Sequence, residues 1–227
     1  MPVSEVFNIC NRRPLSEYPD KYFDLVDDDP PYFSGPEKRE YYGEKVSSIG
    51  VKRLYKPSGK WEVPGPEYFD QILRVSKYYI IWGCNYFKYP FHSGRIIWDK
   101  CNDSSDYSDC EIAATNLFDH VRIVRFMWNG MLQGSLSDGR IMEGDKSKNE
   151  KRIHPTQKPV QIYRWQFQKY AQPGWKILSP HVGSGSDRIA AYDLGLDFTG
   201  YEVDEHHFKN QEKRFNQYKS QLKLFTL

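Results

Sequence analysis

The sequence predicts an α/β chain built on a doubly wound, mostly parallel sheet. Short β-branched and aromatic runs alternate with amphipathic stretches of helical spacing. A glycine turn, Gly183-Ser184-Gly185, follows one apolar run and leads into a helical one, as at a phosphate- or nucleotide-facing βα turn. No internal repeat or low-complexity tract interrupts the alternation. A length of 227 residues fits one large domain, residues 1–227. Two polar insertions lie at about 34–66 and 129–153. The first carries Lys38, Arg39, Lys45, Lys52, Arg53, Lys56 and Lys60.

The elements follow in chain order. Phe23 to Val26 reads as a short strand. Phe69, Ile72, Leu73 and Ser76 recur at helical spacing over 67–76. Tyr78 to Trp82 is a buried strand that stops at Gly83. Arg95 to Trp98 and Val121 to Phe126 are further strands. Val160, Tyr163, Phe167 and Tyr170 share one helical face, and Pro173-Gly174 ends that helix. Lys176 to Leu178 is the strand before the glycine turn. Residues 186–194 read as a helix capped by Gly195. Phe198 to Val203 is a strand, and Phe208, Phe215, Tyr218 and Leu222 mark a last amphipathic helix.

Composition excludes several classes. The formal net charge of +2 supplies no global basic field, so any nucleic-acid surface is local. Cys10, Cys84, Cys101 and Cys110 form no Cys-x-x-Cys pair and no zinc-spaced set, so they read as free thiols of a reducing cytoplasm, and no metal is expected. No apolar run approaches the roughly 20 residues of a membrane span, and no secretory signal is visible. His206-His207 reads as solvated surface at a helix start.

Two short stretches carry the chemistry. Asp29-Pro30-Pro31-Tyr32 puts a carboxylate, a proline carbonyl and an aromatic ring on one rigid turn. The Asp29 carboxylate and the Pro30 carbonyl can both accept from an exocyclic amine, and Tyr32 can stack on the base that bears it. The second stretch is His154-Pro155-Thr156-Gln157-Lys158-Pro159. The glycine turn follows it, and Glu202 comes about twenty residues later at a strand end, where a carboxylate can take both hydroxyls of a ribose. Together these elements point to group transfer onto an amine.

The order of these motifs resembles the permuted β-class of S-adenosylmethionine-dependent DNA amino-methyltransferases. In that class the Asp-Pro-Pro-Tyr motif comes first and the cofactor motifs come last. Trp82-Gly83-Cys84-Asn85-Tyr86-Phe87 resembles the segment the class places beside the target pocket. The resemblance implies a seven-stranded, Rossmann-like sheet with one reversed strand, and S-adenosylmethionine as cofactor. It implies cofactor contacts from Thr156, Gln157, Lys158, His181, Gly183, Ser184, Gly185 and Glu202, and a catalytic corner of Asp29, Pro30, Pro31 and Tyr32. It further implies DNA as partner, and adenine N6 rather than cytosine N4 as acceptor, because Asp rather than Ser opens the motif. A leaving thioether is neutral, so the chemistry requires no metal.

Three departures from the class are visible. Ser179 stands where an Asp usually opens the glycine motif, His181 stands for a Phe, and Cys10 for an acid near the cofactor adenine. Asp187 is the candidate replacement for the missing acid. Asp27-Asp28-Asp29 places three acids in a row, and any buried one should have a raised pKa. The alternatives are a cytosine-N4 or RNA amino-methyltransferase, or a SAM- or DNA-binding subunit of low activity. The short interval before residue 154 predicts a short or relaxed recognition site, or a homodimer that completes the DNA grip.

Overall fold

The computed structural model describes residues 2–32, 43–46, 52–55, 62–102, 108–129, 132–134, 149–154 and 156–221. The elements run β1 (Ser4–Phe7), α1 (Arg12–Glu17), β2 (Phe23–Asp28), β3 (Gly43–Val46), β4 (Lys52–Tyr55), α2 (Pro66–Val75) and β5 (Ser76–Trp82). Then come β6 (Gly94–Asp99), β7 (Cys110–Thr115), β8 (Val121–Arg125), β9 (Met127–Asn129), β10 (Leu132–Gly134) and α3 (Val160–Tyr170). The chain closes with β11 (Lys176–Ser179), α4 (Ser186–Asp193), β12 (Asp197–Tyr201) and α5 (Glu205–Ser220). Lys38, Arg39, Lys56 and Lys60 of the first insertion lie outside the described residues, as does 135–148 of the second. Two small antiparallel pairs accompany those insertions: β3 with β4 lies inside the first, and β9 with β10 spans the start of the second.

One sheet of eight strands runs in the order β1-β12-β11-β2-β5-β7-β6-β8. Seven strands were expected. The six strands legible in the sequence are joined by β7 and by the edge strand β1. β7 pairs antiparallel with both β5 and β6, and every other ladder of this sheet is parallel. Side chains alternate between two cores, as the two-residue pleat demands. Leu25, Ile80, Ile96, Ala113 and Ile177 join Val160 of α3, Ile189 of α4 and Phe215 of α5. Val26, Ile81, Ala114 and Leu178 join Leu15 of α1 and Phe69 and Ile72 of α2. Helices therefore cover both faces, and the central strands carry consecutive apolar residues at Leu25–Val26, Ile80–Trp82 and Ile177–Leu178 rather than an alternation. β1 is held by Arg188 of α4, whose guanidinium donates to the Ser4 side chain and carbonyl while pairing with Glu212 of α5.

The chain reverses direction across the sheet between β2 and β11. From β2 it steps to β5 on one side, and from β11 to β12 on the other. A crevice therefore opens beyond the carboxyl ends of these two strands. The two motif corners end at that crevice.

The acidic end of β2 is split by the pleat. Asp27 is 2% exposed, and neither of its carboxylate oxygens has a hydrogen-bond partner among the described residues. Burial pushes its carboxyl well above the usual range, and Asp187 and Asp28 add repulsion. Burial also raises Asp187 to about 6. Both groups bind protons more tightly in the folded state than in the unfolded one. The stability they contribute is present at low pH and is lost as pH rises, from 3.8 through about 6 for Asp187 and to higher pH for Asp27. Asp27→Asn should therefore lose less stability between pH 5 and pH 8 than the wild type, by about 1–3 kcal/mol. Denaturant unfolding at the two pH values measures this, and equal losses would refute it.

Candidate active site

A cleft of about 590 Å³ occupies the crevice, a volume suited to a nucleotide-sized ligand. Asp29, Pro30, Pro31 and Tyr32 line it from one side, and His181, Gly183, Ser184 and Glu202 from another. Thr156, Gln157 and Lys158 complete the wall. Gly185 is set back from it. It caps α4 at a φ of 70°, with Gln211 close to where a Cβ would sit.

At the first corner, the two prolines turn the chain out of β2 and leave Asp29 at the sheet edge. Its Oδ2 lies 2.6 Å from the Lys158 ammonium, and its Oδ1 accepts from the Tyr32 hydroxyl at 3.3 Å. Burial raises its pKa, Lys158 opposes that rise, and Glu111 adds to it. The Tyr32 ring stacks on Tyr86, centroids 4.9 Å apart and planes 12° from parallel. Tyr86 belongs to a short 3-10 turn, Cys84–Tyr86, entered through Gly83 at a φ of 67°. A Cβ on Gly83 would lie 2.3 Å from the Tyr32 ring, so glycine is required both for the turn and for the ring that covers it. The Trp82-to-Phe87 segment thus stands beside the Asp-Pro-Pro-Tyr corner.

At the second corner, Glu202 leaves β12 and is tied by two backbone donors. Gly183 N–H donates to one carboxylate oxygen at 2.9 Å and Asp204 N–H to the other at 2.8 Å. Burial still leaves its pKa raised, despite these bonds. Gly200 lets β12 pass close to the turn, since a Cβ there would meet Val182 at 2.4 Å.

His181 bridges the two corners. Its Nδ1 is 2.8 Å from Asp28 Oδ1, and the Tyr68 hydroxyl donates to Asp28 Oδ2 at 2.8 Å. Its Nε2 is 3.2 Å from the Asn11 amide, which also donates to the Pro180 carbonyl. Burial disfavours the imidazolium, but the Asp28 carboxylate outweighs it, and the net pKa shift is upward.

The wall from 154 to 158 divides its labour. Gln157 spends its side chain inside its own loop, accepting from Ile153 N–H and donating to Glu150 and the Lys151 carbonyl. Thr156 is exposed and sits against His154. Lys158 is 2% exposed at its side chain and faces Asp29 and Glu111 rather than open space. His154 packs edge-on against His207 at 4.3 Å, and burial lowers both pKa values.

Several expectations need correction. His207 is 6% exposed, not solvated. Asp204 caps α5 by accepting from the N–H groups of His206 and His207, and His207 turns inward onto His154. Asp187 does not line the cleft. It is buried in the first turn of α4, where Ser179 and its own helix N–H groups stabilise its charge. Cys10 does line the cleft, beside Asn11. All four cysteines are free thiols. Among the described residues no cluster of three or more metal-ligating side chains occurs, and no helix is long and apolar enough to cross a membrane.

Sequence reasoning missed Glu111, Asn11 and Tyr68. Glu111 sits near the start of β7 and reaches Lys158, behind the cleft wall, because that strand runs backwards. Its segment, Cys110-Glu111-Ile112-Ala113-Ala114-Thr115, has too little bulk to signal a strand.

Comparison with known proteins agrees with this geometry. The family model described as DNA methylase matches residues 74–213. The Type II methyltransferase M2.LlaDCHI of Lactococcus lactis subsp. cremoris is 27% identical over 133 residues, which are 59% of this chain and 45% of the relative. M.HinfI of Haemophilus influenzae is 23% identical over 247 aligned positions, covering 90% of this chain and 66% of the relative. The chain therefore spans under half the length of M2.LlaDCHI. In fold, it resembles the crystal structure of an M1.HpyAVI-SAM complex, with a TM-score of 0.55 and 16% identity over 93% of this chain and 98% of that one. It also resembles the cytosine-N4-specific PvuII DNA methyltransferase, with a TM-score of 0.53 and 10% identity over 96% of this chain and 93% of that one. With most of its length inside the family match and its motif corners sharing one cleft, the chain belongs to the N6/N4 DNA methylase family.

Proposed function

We propose that the chain transfers a methyl group from S-adenosylmethionine to the N6 amine of an adenine turned out of DNA. The observation that carries this reading is the meeting of Asp29 and Glu202 across one cleft, with the rigid proline turn on one side and the glycine turn on the other. The cofactor fits what is present. Glu202 is fixed by two backbone donors and keeps lone pairs for ribose hydroxyls. Ile9 and Val203 lie at the same end of the cleft, 48% and 70% exposed, and offer apolar faces to a flat base. When bound, S-adenosylmethionine supplies a methyl group on a sulfonium centre whose leaving form is an uncharged thioether.

The chain's own residues do the rest by positioning. A base in a duplex must leave the stack to reach a cleft of this kind. Asp29 accepts one N–H of the amine at the oxygen that Tyr32 holds only loosely, and the Pro30 carbonyl accepts the other. This directs the nitrogen lone pair and raises its electron density. The new N–C bond leaves the nitrogen cationic, and Asp29 takes the surplus proton. The Tyr32 and Tyr86 rings provide the flat wall beside the base. Asp at the first motif position supports adenine over cytosine, although the PvuII enzyme shares the fold. Charges of the insertions grip phosphates, so binding weakens as salt rises. A second copy of the chain extends this grip.

Three measurements test this. Labelled methyl should pass to duplex DNA from a methylation-free host, and nucleoside analysis should find N6-methyladenine; N4-methylcytosine would reassign the acceptor. Asp29→Ala should lower turnover by about 10²–10³-fold with cofactor affinity retained; an unchanged rate would remove the proposed chemistry. Glu202→Gln should weaken cofactor binding by about 10- to 100-fold in calorimetry, since the charge and one of the two acceptor oxygens are lost. Unaltered affinity would remove the ribose role.

A further inference from the structure

Four charged side chains form a line into the cleft. Lys100 Nζ is 2.7 Å from Glu111 Oε1, Glu111 Oε2 is 2.7 Å from Lys158 Nζ, and Lys158 Nζ is 2.6 Å from Asp29 Oδ2. They come from separate places: the end of β6, the start of the reversed strand β7, the loop before α3, and the turn after β2. Two cations and two anions sum to zero. Each cation also lies over an indole face, Lys158 at 5.1 Å from the Trp82 centroid and Lys100 at 5.2 Å from that of Trp98.

We propose that Glu111, backed by Lys100, is a positioning residue that holds the Lys158 ammonium on one oxygen of Asp29 and leaves the other oxygen open to the incoming amine. This deepens the function proposed above and rests on it. The Lys158 ammonium lies between two carboxylates, 2.6 Å from Asp29 Oδ2 and 2.7 Å from Glu111 Oε2, so it is attracted from both sides. The observed pattern fits: Lys158 takes Asp29 Oδ2, and among the described residues Oδ1 has only the 3.3 Å contact from Tyr32. Glu111 would itself be an uncompensated buried anion without Lys100. Lys158 thereby serves the acceptor carboxylate from the wall of the cleft.

The charged and titratable groups facing this line are few. Asp29 faces Lys158, Glu111, Asp28 and Tyr32. Lys158 faces Asp29 and Glu111, with Asp27 also within range of its charge. Tyr163 of α3 feels Asp29 and Glu111 from the other side. The two carboxylates raise the Lys158 pKa against burial, and the two lysines hold Glu111 below the usual carboxylate range. Glu111 in turn pushes the Asp29 pKa up. Its neutralisation must therefore lower the pKa of both Asp29 and Lys158.

The test uses the full chain as wild type, Glu111→Gln and Glu111→Asp. Carboxyl-carbon NMR of aspartate-labelled protein, with Asp29→Asn to assign the signal, follows the Asp29 titration without any need for activity. In Glu111→Gln that titration should move to lower pH by about one unit, and Glu111→Asp should return it toward wild type. Both limbs of the pH profile for methyl transfer should also move to lower pH. An Asp29 titration and a profile identical to wild type in Glu111→Gln would overturn the inference while leaving the proposed function intact. A wild type that titrates as expected but transfers no methyl group to DNA would sink the function and support the electrostatic link. A fall in turnover with neither the titration nor the limbs moved would show Glu111 to be merely structural.

Discussion

The parallel pairing of β2 with β11 is the constraint on which the rest depends. Leu25 sits beside Ile177 and Val26 beside Leu178, so two segments far apart in the chain end at one edge in matched register. A slip of one residue would exchange the two cores, because Leu25 and Ile177 face one and Val26 and Leu178 the other. The apolar cores therefore fix the register, and the register fixes where Asp29 and the glycine turn meet. The His181–Asp28 contact, across 153 residues of sequence, follows from that pairing rather than causing it. Which motif comes first along the chain has no bearing on the site, since only the adjacency of the two strands matters.

The same pleat explains how three consecutive acids coexist. Asp27 points to the side of α3 and α4, Asp28 to the side of α2, and Asp29 emerges at the edge. Their fates differ accordingly. Asp28 is satisfied by Tyr68 and His181, Asp29 by Lys158, and Asp27 by no donor among the described residues. Burial without a partner favours the protonated form, so Asp27 adds little negative charge behind the cleft. Neutralising one acid in this way lessens the repulsion on Asp29, whose ionised state the proposed chemistry needs.

Much of this architecture was legible in residue order. Apolar runs such as Tyr78 to Trp82 and Lys176 to Leu178 announced buried parallel strands, and the spacing of Val160, Tyr163 and Phe167 announced α3. The two motif corners were legible because prolines and glycines mark backbone geometry directly. What escaped notice depends on tertiary placement. β1 is four residues with alternate exposure, and it exists because Arg188 and the β12 edge receive it. β7 is short on bulky residues because it packs between β5 and β6, where Ala113 and Ala114 fit under large neighbours. Glu111 therefore looked like one more surface acid. The inward turn of His207 was equally hidden, since nothing local in His206-His207 tells which ring meets His154.

The magnitudes favour a carboxylate restrained from one side. At the 2.6–2.7 Å separations seen around Lys158, each ion pair is worth on the order of 6 kcal/mol at an effective dielectric constant near 20, before desolvation. Desolvating an ammonium costs several kcal/mol, so a single buried pair is close to break-even. Two carboxylates on one ammonium, with Lys100 behind, tip the sum toward a charged cluster. Rigidity matters as much as charge. Gln157 consumes its amide within the loop, and the Gln157 carbonyl accepts from the Trp128 indole at 3.0 Å, so the backbone that carries Lys158 is fixed before any ligand arrives. A lysine on such a support neutralises Asp29 without following it. An acceptor oxygen that is charged, half-engaged and held still is what positioning an amine requires, and the reversed strand is what brings the second carboxylate within reach.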